Sequence, residues 1–260
     1  MKIGLFDSGL GGLTILRAVA QTLPTYDYLY FGDTAHLPYG DKSEEEVYRL
    51  TKQGVQTLFS HDCVLVIIAC NTASAETLRR LQDTYLPHSY PKRRILGVIV
   101  PTIETLLESR TSHALLLATE RTVQSGKYER ELAKRSTLLK LSKVATSPLV
   151  GFIEAGQYDE AVAYASETIV AALQQQPDID ICVLGCTHYT VLKTTLRQTF
   201  PQLQFVSQDE IIPTKLAWYL KRHPEIASQV HHTKVRDVIL SEPTSSYDEI
   251  VAQLLGDTLS

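Results

Sequence analysis

Short apolar runs that end in small polar residues, each followed by helical periodicity, recur along this chain. Lys2 to Phe6, Tyr28 to Phe31, Val64 to Ala69, Ile95 to Pro101, His113 to Ala118, Ile181 to Gly185 and Leu203 to Val206 read as strands. Leu138 to Lys140 reads as a shorter strand, and Val235 to Leu240 is strand-like. Helical spacing follows from Thr14, from Ser43 to Phe59, through Glu76, Leu78 and Leu81, from Thr102, from Ser125, in a long run to Gln176, from Asp209 to Arg222 and from Ser246 to Leu255. Ser43 with Glu46 three residues on is a capping box, so the acidic group there is helix-start chemistry. Near-continuous apolar strands alternating with helices predict the α/β class with mainly parallel sheets. Leu86 to Pro91, rich in Tyr and Pro, reads as a connector.

One construction appears twice. Val64 to Ala69 delivers Cys70 to a turn of small polar residues, Asn71-Thr72-Ala73-Ser74, and Ile181 to Gly185 delivers Cys186 to Thr187-His188-Tyr189. Open α/β sheets hold ligands at such strand-to-helix turns. The two cysteines, 116 residues apart, suggest two similar half-sites facing one ligand. The duplication is at domain scale: residues 1–97 and 98–207 each form an α/β unit, with 208–260 returning to the first. Two similar three-layer α/β domains are the expected architecture.

At 260 residues, 44% hydrophobic and 21% charged, the chain can bury a full core. A net charge of −4 without a dense Lys/Arg block argues against nucleic acid as a partner. No apolar run reaches membrane-spanning length and no leader pattern opens the chain, so a cytoplasmic location is expected. Of the four cysteines, Cys63 and Cys182 sit inside apolar runs as small core residues, and disulfides are not expected. No metal is expected either: CxxC is absent, and Cys182-x3-Cys186-x-His188 has no matching second pair. The lone His36 and His61 read as structural or solvated, and adjacent His231 and His232 would make a poor chelate.

Asp7-Ser8-Gly9-Leu10-Gly11-Gly12 lacks the third glycine of a dinucleotide loop at its proper spacing, and an aspartate there would repel a pyrophosphate. A carboxylate and hydroxyl at a strand tip suit an ammonium ligand or a base-assisting role instead. Pro38-Tyr39-Gly40 is turn chemistry after a strand and a candidate wall of the site. A single active cysteine with His188 as base would suggest a hydrolase, but that leaves Cys70 and Asp7 without roles. Two thiols from two half-sites fit acid–base work on both faces of one carbon. A thiol titrates at about 8.5, and a helix N-terminus or a nearby cation lowers it toward working pH. The two helix starts would offer N–H groups to a substrate carboxylate, reinforced by the hydroxyls of Ser8, Thr72 and Thr187. No glycine-rich loop with a motif lysine points to pyridoxal phosphate, so no cofactor is expected.

Four segments together, Phe6-Asp7-Ser8-Gly9-Leu10-Gly11-Gly12, Gly32-Asp33-Thr34-x3-Pro38-Tyr39-Gly40, Ala69-Cys70-Asn71-Thr72-Ala73-Ser74-Ala75 and Leu184-Gly185-Cys186-Thr187-His188-Tyr189, resemble glutamate racemase, of the cofactor-independent aspartate/glutamate racemase family. The match runs in order over about the first 210 residues. The resemblance implies two α/β domains with the site in the cleft between them. It implies Cys70 as the thiol acting on D-glutamate and Cys186 as the one acting on L-glutamate. Asp7 would assist Cys70, and His188 with Glu154 would assist Cys186. Ser8, Pro38, Tyr39, Gly40, Asn71, Thr72, Thr119, Thr122 and Thr187 match substrate-binding positions. It further implies glutamate as the small-molecule partner, a bacterial cytoplasmic enzyme supplying D-glutamate for peptidoglycan, and a homodimer as an assembly common in the family.

In one place the chain departs from that pattern. Arg121 stands where the family usually has glycine before the second threonine of Thr119-x-x-Thr122. If the position needs a positive φ, an arginine there is strained; otherwise it is tolerated drift in a loop. Two other readings stay open: a racemase for aspartate or for several amino acids, which a substrate panel separates, and a non-catalytic descendant, for which two opposed thiols would have no use.

Overall fold

The computed structural model describes residues 1–244 together with Tyr247, Val251 and Leu255. Two sheets, each entirely parallel, organise these residues. The first contains β1 (Lys2–Asp7), β2 (Tyr28–Gly32), β3 (Cys63–Ile68), β4 (Arg94–Gly97) and β9 (Arg236–Leu240), in the order β4-β3-β1-β2-β9. The second contains β5 (His113–Ala118), β6 (Lys140–Ala145), β7 (Ile181–Leu184) and β8 (Gln204–Ser207), in the order β6-β5-β7-β8. The α/β class with parallel sheets is as expected.

All six residues of β3 are buried because β1 and β4 flank it and helices cover both faces. Each such aliphatic side chain contributes about 1.5–3 kcal/mol when removed from water. This two-sided burial gives the strand its continuous apolar run. The connecting helices are α1 (Leu13–Thr22), α2 (Glu44–Ser60), α3 (Asn71–Arg80), α4 (Leu86–Ser89) and α5 (Ile99–Glu108). They continue with α6 (Glu120–Gln124), α7 (Lys127–Ala133), α8 (Pro148–Glu154), α9 (Tyr158–Gln175), α10 (Lys193–Thr199), α11 (Gln208–Arg222) and α12 (Pro224–Ala227). Ser43 caps α2 by accepting the Glu46 N–H at 3.3 Å. Val98 and Ile99 share one core with Leu13, Leu16, Ile212 and Leu216, and β9 pairs with β2, so the C-terminal segment lies against the first sheet.

Several expected boundaries move. The strand expected over Ile95 to Pro101 stops at Gly97, and helix α5 takes Ile99 to Pro101 into its first turn, where a proline's missing N–H costs nothing. The strand expected at Leu138 to Lys140 is β6, which begins at Lys140, and Leu138 is almost fully in solvent. The helix expected from Ser125 is α7, which begins at Lys127 after the left-handed Gly126 (φ 60°), and an unexpected short helix, α6, precedes it over Glu120–Gln124. The expected connector at Leu86 to Pro91 is helical over α4, extending a π-helical turn at Leu81–Tyr85. The helix expected from Ser246 to Leu255 lies outside the described residues but for Tyr247, Val251 and Leu255, which are helical and pack on the main core. Among the described residues no helix is long and apolar enough to cross a membrane.

Candidate active site

In each sheet the chain leaves two neighbouring strands in opposite directions, and such a switch point opens a crevice at the strands' carboxyl ends. In the first sheet the strands are β1 and β3, ending at Asp7-Ser8 and Cys70. In the second they are β5 and β7, ending at Thr119 and Cys186. The two crevices face one another across a cavity of about 570 Å³, lined by Ser8, Pro38, Tyr39, Gly40, Cys70, Asn71, Thr72, Thr119, Glu154, Cys186, Thr187 and His188. Asp7 and Thr122, also expected at the site, are buried just behind this wall.

Cys70 caps α3. Its sulfur accepts the Ala73 N–H at 3.5 Å and the Ser8 hydroxyl at 3.4 Å. Burial pushes the thiol up to about 12, and the nearby Asp7 charge adds to this while the two donors oppose it. Asp7 is fully buried, and burial raises its carboxyl above the usual range although the His188 charge and the backbone N–H groups of Gly12, Gly9 and Ser8 pull the other way. Its Oδ2 accepts the Gly12 N–H at 2.9 Å, and the Thr187 hydroxyl from the opposite sheet lies 3.4 Å from both oxygens. Tyr30 completes this corner, donating to the Gly9 carbonyl at 2.7 Å and approaching Asp7 at 3.4 Å.

Cys186 has different company. Its sulfur lies 3.7 Å from His188 Nδ1, and His188 Nε2 lies 2.5 Å from Glu154 Oε1 at the end of α8. Burial alone would lower the His188 pKa, but the hydrogen bonds and charges of Cys186 and Glu154 outweigh it, and the imidazole is held well above its ordinary value. The His188 hydrogen bond holds Glu154 below the ordinary carboxylate range against its partial burial. The two shifts agree: this is an ion pair aimed at a sulfur.

Three hydroxyls close the cavity between the sheets. Thr72 on α3 lies 2.9 Å from Thr119 and 3.3 Å from Thr122, which lie 3.0 Å from each other. Asn71 is held from behind, its Oδ1 accepting from the Tyr128 hydroxyl at 2.8 Å and from Gln208 Nε2 at 3.4 Å, while its buried Nδ2 has no partner among the described residues. Tyr39 donates to Asp33 at 2.6 Å, which fixes the Pro38–Gly40 wall from below. Sequence reasoning missed Tyr30, Tyr128 and Gln208. The one available signal was that a tyrosine inside an apolar strand, such as Tyr30, needs a hydrogen-bond partner when buried.

Arg121 is not strained. It lies in α6, and among the described residues the non-glycine positions with positive φ are Asp62, Arg110 and Lys234. His36 and His61 make local contacts, His36 with Asp33 and His61 with the Thr57 carbonyl. Cys63 and Cys182 are buried in the cores away from the cavity.

Residues 13–212 match the Asp/Glu/Hydantoin racemase family. Glutamate racemase of Ruegeria sp. is 40% identical over 238 residues, covering 87% of each chain. Glutamate racemase isoform RacE1 of Bacillus anthracis superposes with a TM-score of 0.84 at 27% identity, over 98% of this chain and 94% of that one. Escherichia coli glutamate racemase, in complex with L-glutamate and the activator UDP-MurNAc-ala, superposes with a TM-score of 0.74 at 25% identity, over 99% and 94%. With a switch-point cysteine in each sheet and a family match spanning both, this chain belongs to the Asp/Glu/hydantoin racemase family.

Proposed function

We propose that this protein interconverts L- and D-glutamate by proton transfer between the substrate α-carbon and two thiols. The observation that carries the reading is the pair of cavity-lining sulfurs, Cys70 and Cys186, each delivered by its own sheet, Cys70 hydrogen-bonded by Ser8 with the Asp7 carboxyl nearby and Cys186 facing His188. The Ruegeria relative is named a glutamate racemase, and the Escherichia coli structure contains L-glutamate. These names supply the substrate.

Substrate would lie with its α-carbon between the sulfurs and its carboxylate toward the N–H groups and hydroxyls at the turns after β3 and β7. The imidazolium of His188 faces the Cys186 sulfur at 3.7 Å, so Cys186 is the group that removes the proton from one face. Cys70, kept as a thiol by burial and by Asp7, returns one to the other face. The reverse reaction exchanges the roles, with Asp7 and Ser8 assisting Cys70. By the resemblance, Cys186 serves L-glutamate and Cys70 serves D-glutamate. The reading includes residues 1–97 with 208–260 and residues 98–207 as two domains that close on substrate. It also includes a cytoplasmic enzyme, a homodimer to be tested by light scattering, and D-glutamate destined for peptidoglycan.

The test is circular dichroism of D-glutamate with the purified protein, repeated in D2O with proton NMR of the α-hydrogen. Decay of the signal with deuterium entering the α-position is expected, and replacing either Cys70 or Cys186 by alanine should abolish it. Full activity in either variant would overturn the two-thiol mechanism. Aspartate turned over well above glutamate would overturn the substrate.

A further inference from the structure

Arg121 belongs to α6, the short helix that Thr119 caps and that presents Thr119 and Thr122 to Thr72 across the cavity. Its own side chain crosses in the same direction by another route. The Nε donates to the Lys42 carbonyl at 3.0 Å and lies 3.8 Å from Glu76 Oε1 on α3. Both partners belong to elements that build the opposite wall. Lys42 closes the turn that begins at Tyr39, its N–H donating to the Tyr39 carbonyl at 3.2 Å. Within that turn Gly40 packs so closely on Thr119 that a Cβ there would stand 3.2 Å from the Thr119 Cβ. Glu76 lies on the helix that Cys70 caps and that carries Asn71 and Thr72.

One guanidinium therefore ties together three cavity-bearing pieces: the Tyr39–Gly40 wall, the helix behind Cys70, and the helix bearing Thr119 and Thr122. Arg121 does not itself line the cavity. Both contacts run through Nε, which donates to the carbonyl while the planar charge lies near the carboxylate, a geometry that a flexible ammonium holds less well. The Glu76 carboxylate is largely covered, so this contact is less screened than a surface ion pair.

We propose that Arg121 is a substrate-positioning residue, a strap that holds the Tyr39–Gly40 wall and α3 against α6 and so sets the cavity's dimensions before a small amino dicarboxylate arrives. Binding to a preformed cavity avoids the cost of ordering its wall, and that saving appears in substrate affinity. The proposal rests on the racemase reading for its kinetic consequence, whereas its consequence for the wall is independent of any substrate.

The test is hydrogen exchange by mass spectrometry on the full chain, with Arg121→Gln, Arg121→Lys and Glu76→Gln compared with the parent. In Arg121→Gln, amide exchange over residues 39–43 should rise about tenfold, with α9 and β7 unchanged. Arg121→Lys should fall between, because it retains the charge toward Glu76 but not the planar Nε donor at the Lys42 carbonyl, and Glu76→Gln should give a smaller rise. In glutamate assays KM should rise about fivefold in both directions with kcat within about twofold, the pattern of lost uniform binding. Unchanged exchange over residues 39–43 in folded Arg121→Gln would overturn the strap. So would a rise spread evenly over both sheets with a lowered Tm, which is the mark of a merely structural residue. If Arg121→Gln does not fold, the lysine and Glu76 variants decide between the same outcomes. If the parent does not racemise glutamate, the racemase reading fails and the exchange pattern alone decides the strap.

Discussion

Glu154 and His188 lie 2.5 Å apart, oxygen to nitrogen, and their pKa values move in opposite directions, the carboxyl down and the imidazole up. Both shifts favour the charged pair, and the imidazole's other nitrogen faces Cys186 at 3.7 Å. Cys70 has no such cation. Its neighbours are a hydroxyl, an N–H group and a buried carboxyl. The two thiols are alike in topology and unlike in electrostatics.

Glu154→Gln should therefore impair one direction more than the other. With its carboxylate partner removed, His188 falls toward its ordinary pKa, and the cation beside Cys186 is lost at lower pH. The alkaline limb of kcat/KM should shift to lower pH in both directions alike, because the two enantiomers are equal in energy, while kcat falls more, by about a hundredfold, in the direction that begins at Cys186. Stability follows the same signs. The contribution of the raised His188 is complete below its unfolded pKa and lost as pH rises through its folded one. The contribution of the lowered Glu154 is complete above its unfolded pKa and lost as pH falls through its folded one. The parent's thermal advantage over Glu154→Gln should thus be confined between Glu154's lowered and His188's raised pKa, as melting curves across pH will show.

Asp7→Asn should make the protein more stable and less active. Burial raises the Asp7 pKa, so its contribution to stability is present below the unfolded value and lost as pH rises through the folded one. A neutral amide escapes that loss and can still accept the Gly12 N–H. At pH 8 the variant should melt higher by on the order of 2–4 °C, with the gain shrinking as pH falls through Asp7's raised pKa. Its racemisation from the Cys70 side should drop, the exchange of stability for activity expected when a charge is buried for function. A lower Tm at pH 8 would show that the donors around Asp7 outweigh its desolvation.

How legible this was in the sequence depends on what surrounds each segment. The strands β1, β3 and β7 are interior members of parallel sheets, buried on both faces, so their apolar runs are unbroken and end at the cavity. The edge strand β6 carries Lys140 and Lys143 toward solvent, and its polar pattern reveals a strand but not its extent, which runs from Lys140 to Ala145 rather than over Leu138 to Lys140. At Gly97 the apolar run continues from strand into helix without a change of composition, so only the backbone marks the switch. Ser8, Cys70, Thr119 and Cys186 were legible because they sit at strand tips, where chain order and spatial order coincide, whereas Glu154, at the end of α8, was reached only through the family resemblance. Tyr128 and Gln208 were not, because what places them against Asn71 is the packing of α7 and α11, 57 and 137 residues away.

Tyr128→Phe should weaken binding more than turnover. The Tyr128 hydroxyl is the shorter of two bonds holding the Asn71 oxygen, leaving the amide nitrogen, which has no partner among the described residues, free for a ligand. Without it the amide is held only by Gln208 at 3.4 Å and can turn over. A lost hydrogen bond of about 1 kcal/mol corresponds to a rise of roughly fivefold in KM, with kcat nearly constant. Steady-state kinetics in both directions check this, and an unchanged KM would mean that Asn71 does not touch substrate.

Gly11→Ala should cost far more. Gly11 meets the turn after β7 so closely that a Cβ would stand 2.7 Å from the Thr187 hydroxyl and 2.9 Å from the His188 backbone nitrogen. The hydroxyl can rotate, but the backbone nitrogen cannot, so the two turns must separate. That separation lengthens the Thr187 contact to Asp7, already 3.4 Å, and moves the half-site of Cys186 away from that of Cys70. A misplacement of about 1 Å costs on the order of a hundredfold in rate when two groups must address one carbon. Stability should fall by about 1–3 kcal/mol, because a contact face has been overpacked while both cores stay intact. The expected result is a folded protein with kcat/KM reduced about a hundredfold in both directions. Parent-like kinetics would mean that the two turns stand further apart during turnover than they do here, and that closure is not what brings the thiols to the substrate.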